Sequence, residues 1–291
     1  MTRRLFIFGL GYSGLEIARL AKTQGWPVAG TCTTPAKAER LAADGIETHV
    51  FDGTRALAEA TVGEASHILC TIAPGPSGDP AIAHCARLLR RARWLGYLST
   101  TGVYGDHDGG WVDEATPARP SQPRSIARLA AERAWQAVAL DAGIPLDIFR
   151  LPGIYGPGRS ALDQVRAGTA RRIDKPGQLF SRIHVADIAG AVMAALSRAH
   201  EAGVYNVADD LPASTSDVVA FACELLGRPV PPAIPWAEIE PTLSAMARSF
   251  YAESRRVRNV RIKQALGVVL RYPTYREGLR AIAAGDPRPP Q

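Results

Sequence analysis

The sequence predicts an α/β fold, with a doubly wound parallel sheet followed by a smaller α/β lobe. Short apolar runs alternate with helical patterns over about the first 150 residues, which is typical of parallel strands covered by helices on both faces. A glycine-rich loop joins the first predicted strand to the first predicted helix. The later part of the chain is richer in proline and less regular, which favours a smaller lobe.

The elements of the first part follow in order. The strand "LFIFG" precedes the helix "GLEIARLAKTQG", which Gly25 ends. The runs "VAGTCTT", "ETHVFDG" and "SHILCTIAP" read as strands because turn residues follow each. A helix over Ala81 to Arg93, the strand "WLGYLST", a helix over Ser125 to Leu140 and the strand "PLDIFRLPG" complete the pattern.

Composition and charge exclude several classes of protein. The chain of 291 residues carries a net charge of +6, but its densest basic run, "RRVRNVRIK", lacks the interleaved aromatic residues of a nucleic-acid groove. No apolar run has the length of a membrane span or the form of a secretion signal, so we expect a cytoplasmic protein. The spacing of its four cysteines favours neither a metal site nor disulfides; they are Cys32, Cys70, Cys85 and Cys223.

The loop "GLGYSG" has the spacing of a dinucleotide-binding turn. Gly9 permits a tight turn, Gly11 lets the backbone approach a diphosphate, and Gly14 lets the helix pack close to the strand. Tyr12 and Ser13 lie at the start of the helix, where free N–H groups attract an anion. The loop therefore predicts a Rossmann-type cofactor site.

The second strand favours NADP, although NAD stays possible. An NAD site usually has a carboxylate about 20 residues after the glycines, and no acidic residue stands between positions 16 and 39. The strand ends instead in hydroxyls and a cation, which would accept a 2′-phosphate. These residues are Thr31, Thr33, Thr34 and Lys37. The alternative is that Lys37 only solvates the start of a helix.

Seven segments together resemble the extended short-chain dehydrogenases/reductases, in the family's order and over nearly the whole chain. They are "GLGYSG", "LSTTGVYGD", "VDEATPARP", "FRLPGIYGPGR", "RIHVADIA", "VYNVADD" and "YPTYREGL". The chain is most similar to the atypical branch of NAD-dependent epimerases/dehydratases, which includes nucleoside-diphosphate-sugar epimerases. We expect a Rossmann domain at residues 1–155, with 183–207 returning to it, and a substrate-binding lobe at 156–291.

The resemblance implies roles for individual residues. Asp52 matches the acid that binds the adenine amino group, or else is only a turn former. Ala73 matches the point where the fourth strand passes the cofactor. Thr100 matches the hydroxyl that holds the reacting oxygen, with Ser99 and Thr101 as alternatives if the register shifts by one.

Two further matches lie in the second half. "RLPGIYGPG", which contains Tyr155, matches the loop that borders nicotinamide and substrate. His184 and Asp187 match a motif that usually ties the small lobe to the sheet, which favours a structural role for both.

The family's tyrosine–lysine proton relay is missing. Alignment places Arg124 at the tyrosine position and Arg128 at the lysine position, and none of the eight tyrosines is followed by lysine four residues later. Arginine exchanges no proton at neutral pH. The two arginines would make the mouth of the site cationic, or they would lie on a solvated helix face with Glu132 balancing Arg128.

Two functions follow from this pattern. The first is an NAD(P)-dependent enzyme acting on a nucleotide-sugar or similar anionic substrate, with Tyr104 or Tyr155 as a substitute proton donor. The second is a catalytically inactive dinucleotide-binding regulator or redox sensor. Family members often pair through a four-helix contact, so a homodimer is also possible.

Overall fold

The computed structural model describes residues 3–62 and 65–285 of the chain. The strands are β1 Leu5–Phe8, β2 Val28–Cys32, β3 Glu47–Val50, β4 His67–Cys70, β5 Trp94–Thr100, β6 Trp111–Val112, β7 Leu146–Leu151, β8 Gly153–Tyr155, β9 Arg172–Asp174, β10 Arg182–His184, β11 Val204–Asn206, β12 Ala233–Pro235 and β13 Arg256–Val257. The helices are α1 Tyr12–Thr23, α2 Pro35–Ala43, α3 Glu59–Val62, α4 Pro80–Leu89, α5 Pro123–Ala142, α6 Ala161–Arg166, α7 Val185–Ser197, α8 Thr215–Leu225, α9 Trp236–Ile239, α10 Ala245–Tyr251, α11 Val260–Leu266 and α12 Tyr275–Ala283.

The main sheet has seven parallel strands in the order β11-β7-β5-β4-β1-β2-β3. One face packs against α1, α7 and α11, and the other packs against α4 and α5. The strand order reverses between β1 and β4, which is where doubly wound sheets form their ligand crevice. The predicted Rossmann-like α/β fold is confirmed.

The second part of the chain forms smaller parallel pairs beside this sheet. Strand β8 pairs with β10, β9 with β12, and β6 with β13. Helices α6, α8 and α12 enclose a separate apolar cluster. The strand predicted over "GVYNVAD" is β11, which joins the main sheet beside β7. We call residues 156–285 without α7 and β11 the second lobe.

Two helices differ in length from their predicted bounds. Helix α4 ends at Leu89 rather than Arg93, because the Arg93 N–H donates to Ser66 O at 2.8 Å and the chain has already turned toward the sheet. Helix α5 is longer than expected and ends at Gly143, whose φ of +65° is typical of a helix C-terminus.

A buried ion pair fixes α5 to the sheet. Glu132 receives hydrogen bonds from Arg150 on β7 at 2.7 and 3.1 Å and from the Ser99 hydroxyl on β5. The Glu132 and Arg150 side chains are only 2% and 8% exposed. Glu132 therefore balances Arg150, which rules out the alternative in which it balances Arg128.

Within the described residues, no helix combines the length and apolarity needed to cross a bilayer. All four cysteines are buried as free thiols.

Replacing Glu132 with Gln should destabilise the protein by about 3–5 kcal/mol, because the buried Arg150 charge then loses its partner. The matched control is Glu47→Gln, since Glu47 pairs with Arg4 at 2.9 Å on the surface and should lose less than about 1 kcal/mol. Urea denaturation measures both. Equal losses in the two variants would contradict a stabilising role for the buried pair.

Candidate functional site

The glycine loop has a tightly defined geometry at the carboxyl end of β1. Gly9 has a φ of +94°, a conformation that strongly favours glycine. Its N–H donates to Thr31 Oγ1 at 2.9 Å. A Cβ on Gly14 would lie 2.2 Å from Gly9 O, so only glycine lets α1 pack this close to the strand.

The side of the loop that faces away from the sheet is open. A Cβ placed on Gly11 meets nothing within 4 Å, and Gly11 caps α1 without any side-chain hydrogen bond. Tyr12 and Ser13, both half-buried, begin the helix. The first N–H groups of α1 therefore face a space that suits a cofactor diphosphate, and the residues present fit such a group.

The polar residues at the end of β2 and directly after it are either used by the local structure or left accessible. Thr31 is fully buried beneath the loop, where it accepts the Gly9 N–H, so the expectation that its hydroxyl faces a ribose phosphate was wrong. Thr34 caps α2 by accepting the Lys37 N–H at 3.4 Å. Thr33 is exposed and Lys37 is half-buried, which leaves these two as candidates for contact with a 2′-phosphate.

Asp52 and Ala73 lie after β3 and β4 at the same edge of the sheet. Asp52 Oδ1 accepts the Thr54 N–H at 2.9 Å and the Thr54 hydroxyl at 2.7 Å. These bonds lower the pKa of the exposed Asp52 carboxyl and form a local turn. Ala73 is exposed. Asp52 thus has the turn-forming role that was its alternative, and the cofactor contacts expected of both residues stay predictions.

Thr100 ends β5 at this edge. It is half-buried, and its Oγ1 accepts the Gly102 N–H at 3.1 Å. The neighbouring hydroxyls are both buried, and that of Ser99 is bonded to Glu132. Of the three candidates, Thr100 is therefore the one with a partly accessible hydroxyl.

Arg128 reaches from α5 to the ends of two strands. Its Nη1 donates to Leu98 O at 2.9 Å, to the Tyr97 hydroxyl at 3.2 Å and to Ile72 O at 3.4 Å. The side chain is half-buried. Arg128 thus joins the ends of β4 and β5 beside Thr100, and it does not lie on a solvated helix face.

Arg124 lies one turn earlier on α5 and is exposed. Its guanidinium packs 4.6 Å from the ring centroid of Phe250 on α10, and Nη2 donates to Ser249 Oγ at 3.4 Å. A residue of the second lobe therefore covers one face of the cation that the alignment places at the position of the relay tyrosine.

Tyr104 and Tyr155 do not reach the crevice, contrary to expectation. The Tyr104 side chain is fully buried and donates to Asn206 Oδ1 at 2.8 Å. The Tyr155 hydroxyl donates to Thr274 O at 3.4 Å inside the second-lobe cluster. Burial raises the pKa of both phenols. Because both side chains are buried and their hydroxyls are hydrogen-bonded, neither tyrosine is placed to exchange a proton with a ligand in the crevice.

Asp187 has the structural role expected for it. Its carboxylate accepts the N–H groups of Arg271 at 2.6 Å and Tyr272 at 3.1 Å, which fastens the segment before α12 to α7. Burial raises the pKa of Asp187 to about 6. His184 caps α7 through Nδ1, which accepts the Ala186 N–H at 3.2 Å.

Sequence reasoning missed Tyr97, which receives a hydrogen bond from Arg128, and Phe250, which covers Arg124. It also assigned no role to Arg159, whose guanidinium lies 5.7 Å from the ring centroid of Tyr12. The string "GPGR" was the available signal for Arg159. No local pattern pointed to Phe250, because it lies more than 100 residues from Arg124.

Comparison with known proteins finds one matching family model and several similar proteins. The model of the NAD dependent epimerase/dehydratase family matches residues 80–208. A solved structure of a functionally unknown conserved protein from Silicibacter pomeroyi is 45% identical, covers 98% of this chain and 99% of its own, and has a TM-score of 0.88. Protein YeeZ of Escherichia coli K12 is 27% identical over an alignment of 231 residues, and the match covers 70% of this chain and 77% of YeeZ.

The fold is also that of a more distant enzyme. UDP-glucuronic acid 4-epimerase from Bacillus cereus, solved in complex with NAD, superposes with a TM-score of 0.76 over 97% of both chains. Its sequence identity is 15%, so this likeness concerns the architecture alone.

Replacing Gly14 with Ala should destabilise the protein by about 1–3 kcal/mol, because the new methyl group overlaps Gly9 O and forces α1 away from β1. The control is Gly11→Ala, where the methyl group points into open space and the loss should stay below about 1 kcal/mol. Thermal and urea unfolding compare the two. A Gly14→Ala variant as stable as the Gly11→Ala variant would contradict the close packing of loop and helix.

Proposed function

We propose that this chain, whose residues 80–208 match the model of the NAD dependent epimerase/dehydratase family, binds NADP, or NAD, and acts on a nucleotide-sugar or similar anionic substrate without a tyrosine–lysine relay. The observation that carries the proposal is the glycine loop. Its Gly11 side is open, and the N-terminus of α1 carries no side-chain cap.

Each polar group around the crevice suits one step of the proposed reaction, either binding the substrate or positioning it. The nicotinamide, when bound, supplies hydride transfer. The Thr100 hydroxyl already accepts a backbone N–H, so its own proton is free to donate to a substrate oxygen. Arg128 joins the ends of β4 and β5, which lie on one side of the crevice. Arg124, exposed at the start of α5, offers a positive charge to a substrate phosphate or carboxylate.

The proposed reaction needs a proton donor other than the family's tyrosine–lysine pair. Seven of the eight tyrosines are buried; they are Tyr97, Tyr104, Tyr155, Tyr205, Tyr251, Tyr272 and Tyr275. The eighth, Tyr12, is half-buried, and burial raises the pKa of its phenol. We therefore propose that solvent exchanges the proton with the oxygen that Thr100 holds, and that turnover is slow.

The second candidate is a dinucleotide-binding regulator without chemistry. The packing of Phe250 over Arg124 favours it, because this contact joins the second lobe to the helix beside the cofactor site. A homodimer would suit either function, and the exposed Ile126 and Leu140 on α5 support it.

Binding and hydride transfer distinguish these functions. We expect NADPH to bind with micromolar affinity, measured by fluorescence energy transfer from tryptophan, and Gly11→Ala to abolish binding while Gly190→Ala, also free of close contacts, retains it. Stereospecifically deuterated NADPH should transfer its label to an oxidised nucleotide-sugar. Binding without transfer to any sugar offered would favour the regulator, and absence of binding would contradict both functions.

Lys37→Gln should weaken NADPH binding about tenfold and leave NADH binding nearly unchanged, because only NADPH carries the 2′-phosphate that the ammonium would contact. The ratio of the two dissociation constants checks this, and NADH serves as the internal control. An unchanged ratio would mean that Lys37 only solvates the start of α2.

A further inference from the structure

The turn between β8 and α6 is built rigidly. Gly156 and Arg159 exchange two backbone hydrogen bonds, of 3.2 and 3.0 Å, around Pro157 and Gly158. Proline at the second position and a glycine with φ of +75° at the third are typical of a type II turn. A reciprocal capping box between Ser160 and Asp163 then begins α6. The backbone of Arg159 is therefore held on both sides.

This turn touches the cofactor loop directly. The Tyr12 hydroxyl, at the start of α1, donates to Pro157 O at 3.1 Å. A Cβ on Gly156 would lie 2.4 Å from the same hydroxyl oxygen. The second lobe and the glycine loop thus meet at a point where only a glycine backbone leaves room for the tyrosine.

The contact brings a positive charge to the loop. The Arg159 guanidinium lies 5.7 Å from the centroid of the Tyr12 ring, and its side chain is exposed. Among the described residues, no carboxylate lies within salt-bridge distance of it. The glycine loop and the first turn of α1 contain no lysine or arginine, and Glu16 on the next turn adds a negative charge near Tyr12.

We propose that Arg159 is a ligand of the cofactor diphosphate, supplied to the Rossmann site by the second lobe. The inference rests on the proposed function, because it needs a dinucleotide on the glycine loop. The helix N-terminus offers only partial positive charge, whereas the diphosphate is fully ionised. Arg159 supplies the missing full charge, and the Tyr12–Pro157 hydrogen bond sets its position.

The test compares Arg159→Gln with the matched control Arg166→Gln. Arg166 is an exposed arginine on α6, seven residues farther along the chain, that faces Asp163 at 4.0 Å. Dissociation constants for NADH, ADP and adenosine are measured by calorimetry at low and high salt. Because a charge-assisted hydrogen bond is worth about a factor of ten or more, Arg159→Gln should weaken NADH and ADP about tenfold and leave adenosine unchanged.

Two further readouts sharpen the result. The NADH affinity of Arg159→Gln should depend less on salt than that of the unaltered protein, since a screened charge pair has been removed. Arg166→Gln should change affinity by less than about twofold, because a surface pair contributes little. Arg159→Lys should recover part of the lost affinity, and the melting temperatures of all variants should agree because both arginines are exposed.

Equal NADH affinity in Arg159→Gln and Arg166→Gln would overturn the proposal. The proposal would also be overturned if Arg159→Gln lost affinity only for UDP, titrated into NADH-loaded protein, because Arg159 would then bind the diphosphate of the substrate. If the unaltered protein bound neither NADH nor NADPH, the proposed function would fail as well. If it bound them and Arg159→Gln did too with equal strength, only the role of Arg159 would fail.

Discussion

The buried ion pair between Glu132 and Arg150 is the constraint on which the candidate site depends. Two charges removed from water must satisfy each other, and these two lie on α5 and on β7. The pair therefore fixes where α5 crosses the sheet. Arg128, one turn earlier on that helix, is placed so that it reaches the ends of β4 and β5, and Arg124 is placed at the edge of the second lobe.

The same interior removes the obvious substitutes for the missing relay. Arg150 packs 4.8 Å from the ring centroid of Tyr104, whose hydroxyl is held by Asn206 on β11. That tyrosine supports the edge of the sheet through these two buried contacts. The glycine loop has the geometry that the proposed cofactor would need, whereas both tyrosines suggested as proton donors are buried. This contrast is what makes a slow enzyme and a regulator the two functions that remain.

The second lobe meets the first at two places beside the crevice. Phe250 of α10 lies on Arg124 of α5, and the turn before α6 holds Tyr12 at the glycine loop. Both contacts use a residue next to the crevice, so the second lobe borders the candidate site. Asp187, bonded to the segment before α12, adds a third attachment away from the crevice.

Local patterns in the sequence determined the fold and the cofactor loop. Alternating strands and helices specify the parallel sheet because each element must bury one apolar face. Gly9 and Gly14 could be predicted because they contact each other within one short loop. The absence of a tyrosine–lysine pair could also be predicted from the sequence, since it concerns residues four apart on one helix.

Only the tertiary structure decided which polar side chains face the crevice. Thr31 lies buried under the loop, and Tyr155 packs in the second-lobe cluster. Glu132 pairs with Arg150 and not with Arg128, and Arg159 lies beside Tyr12. Each of these contacts depends on a partner 18 to 147 positions away in the chain, and sequence periodicity carries no information about packing at that distance.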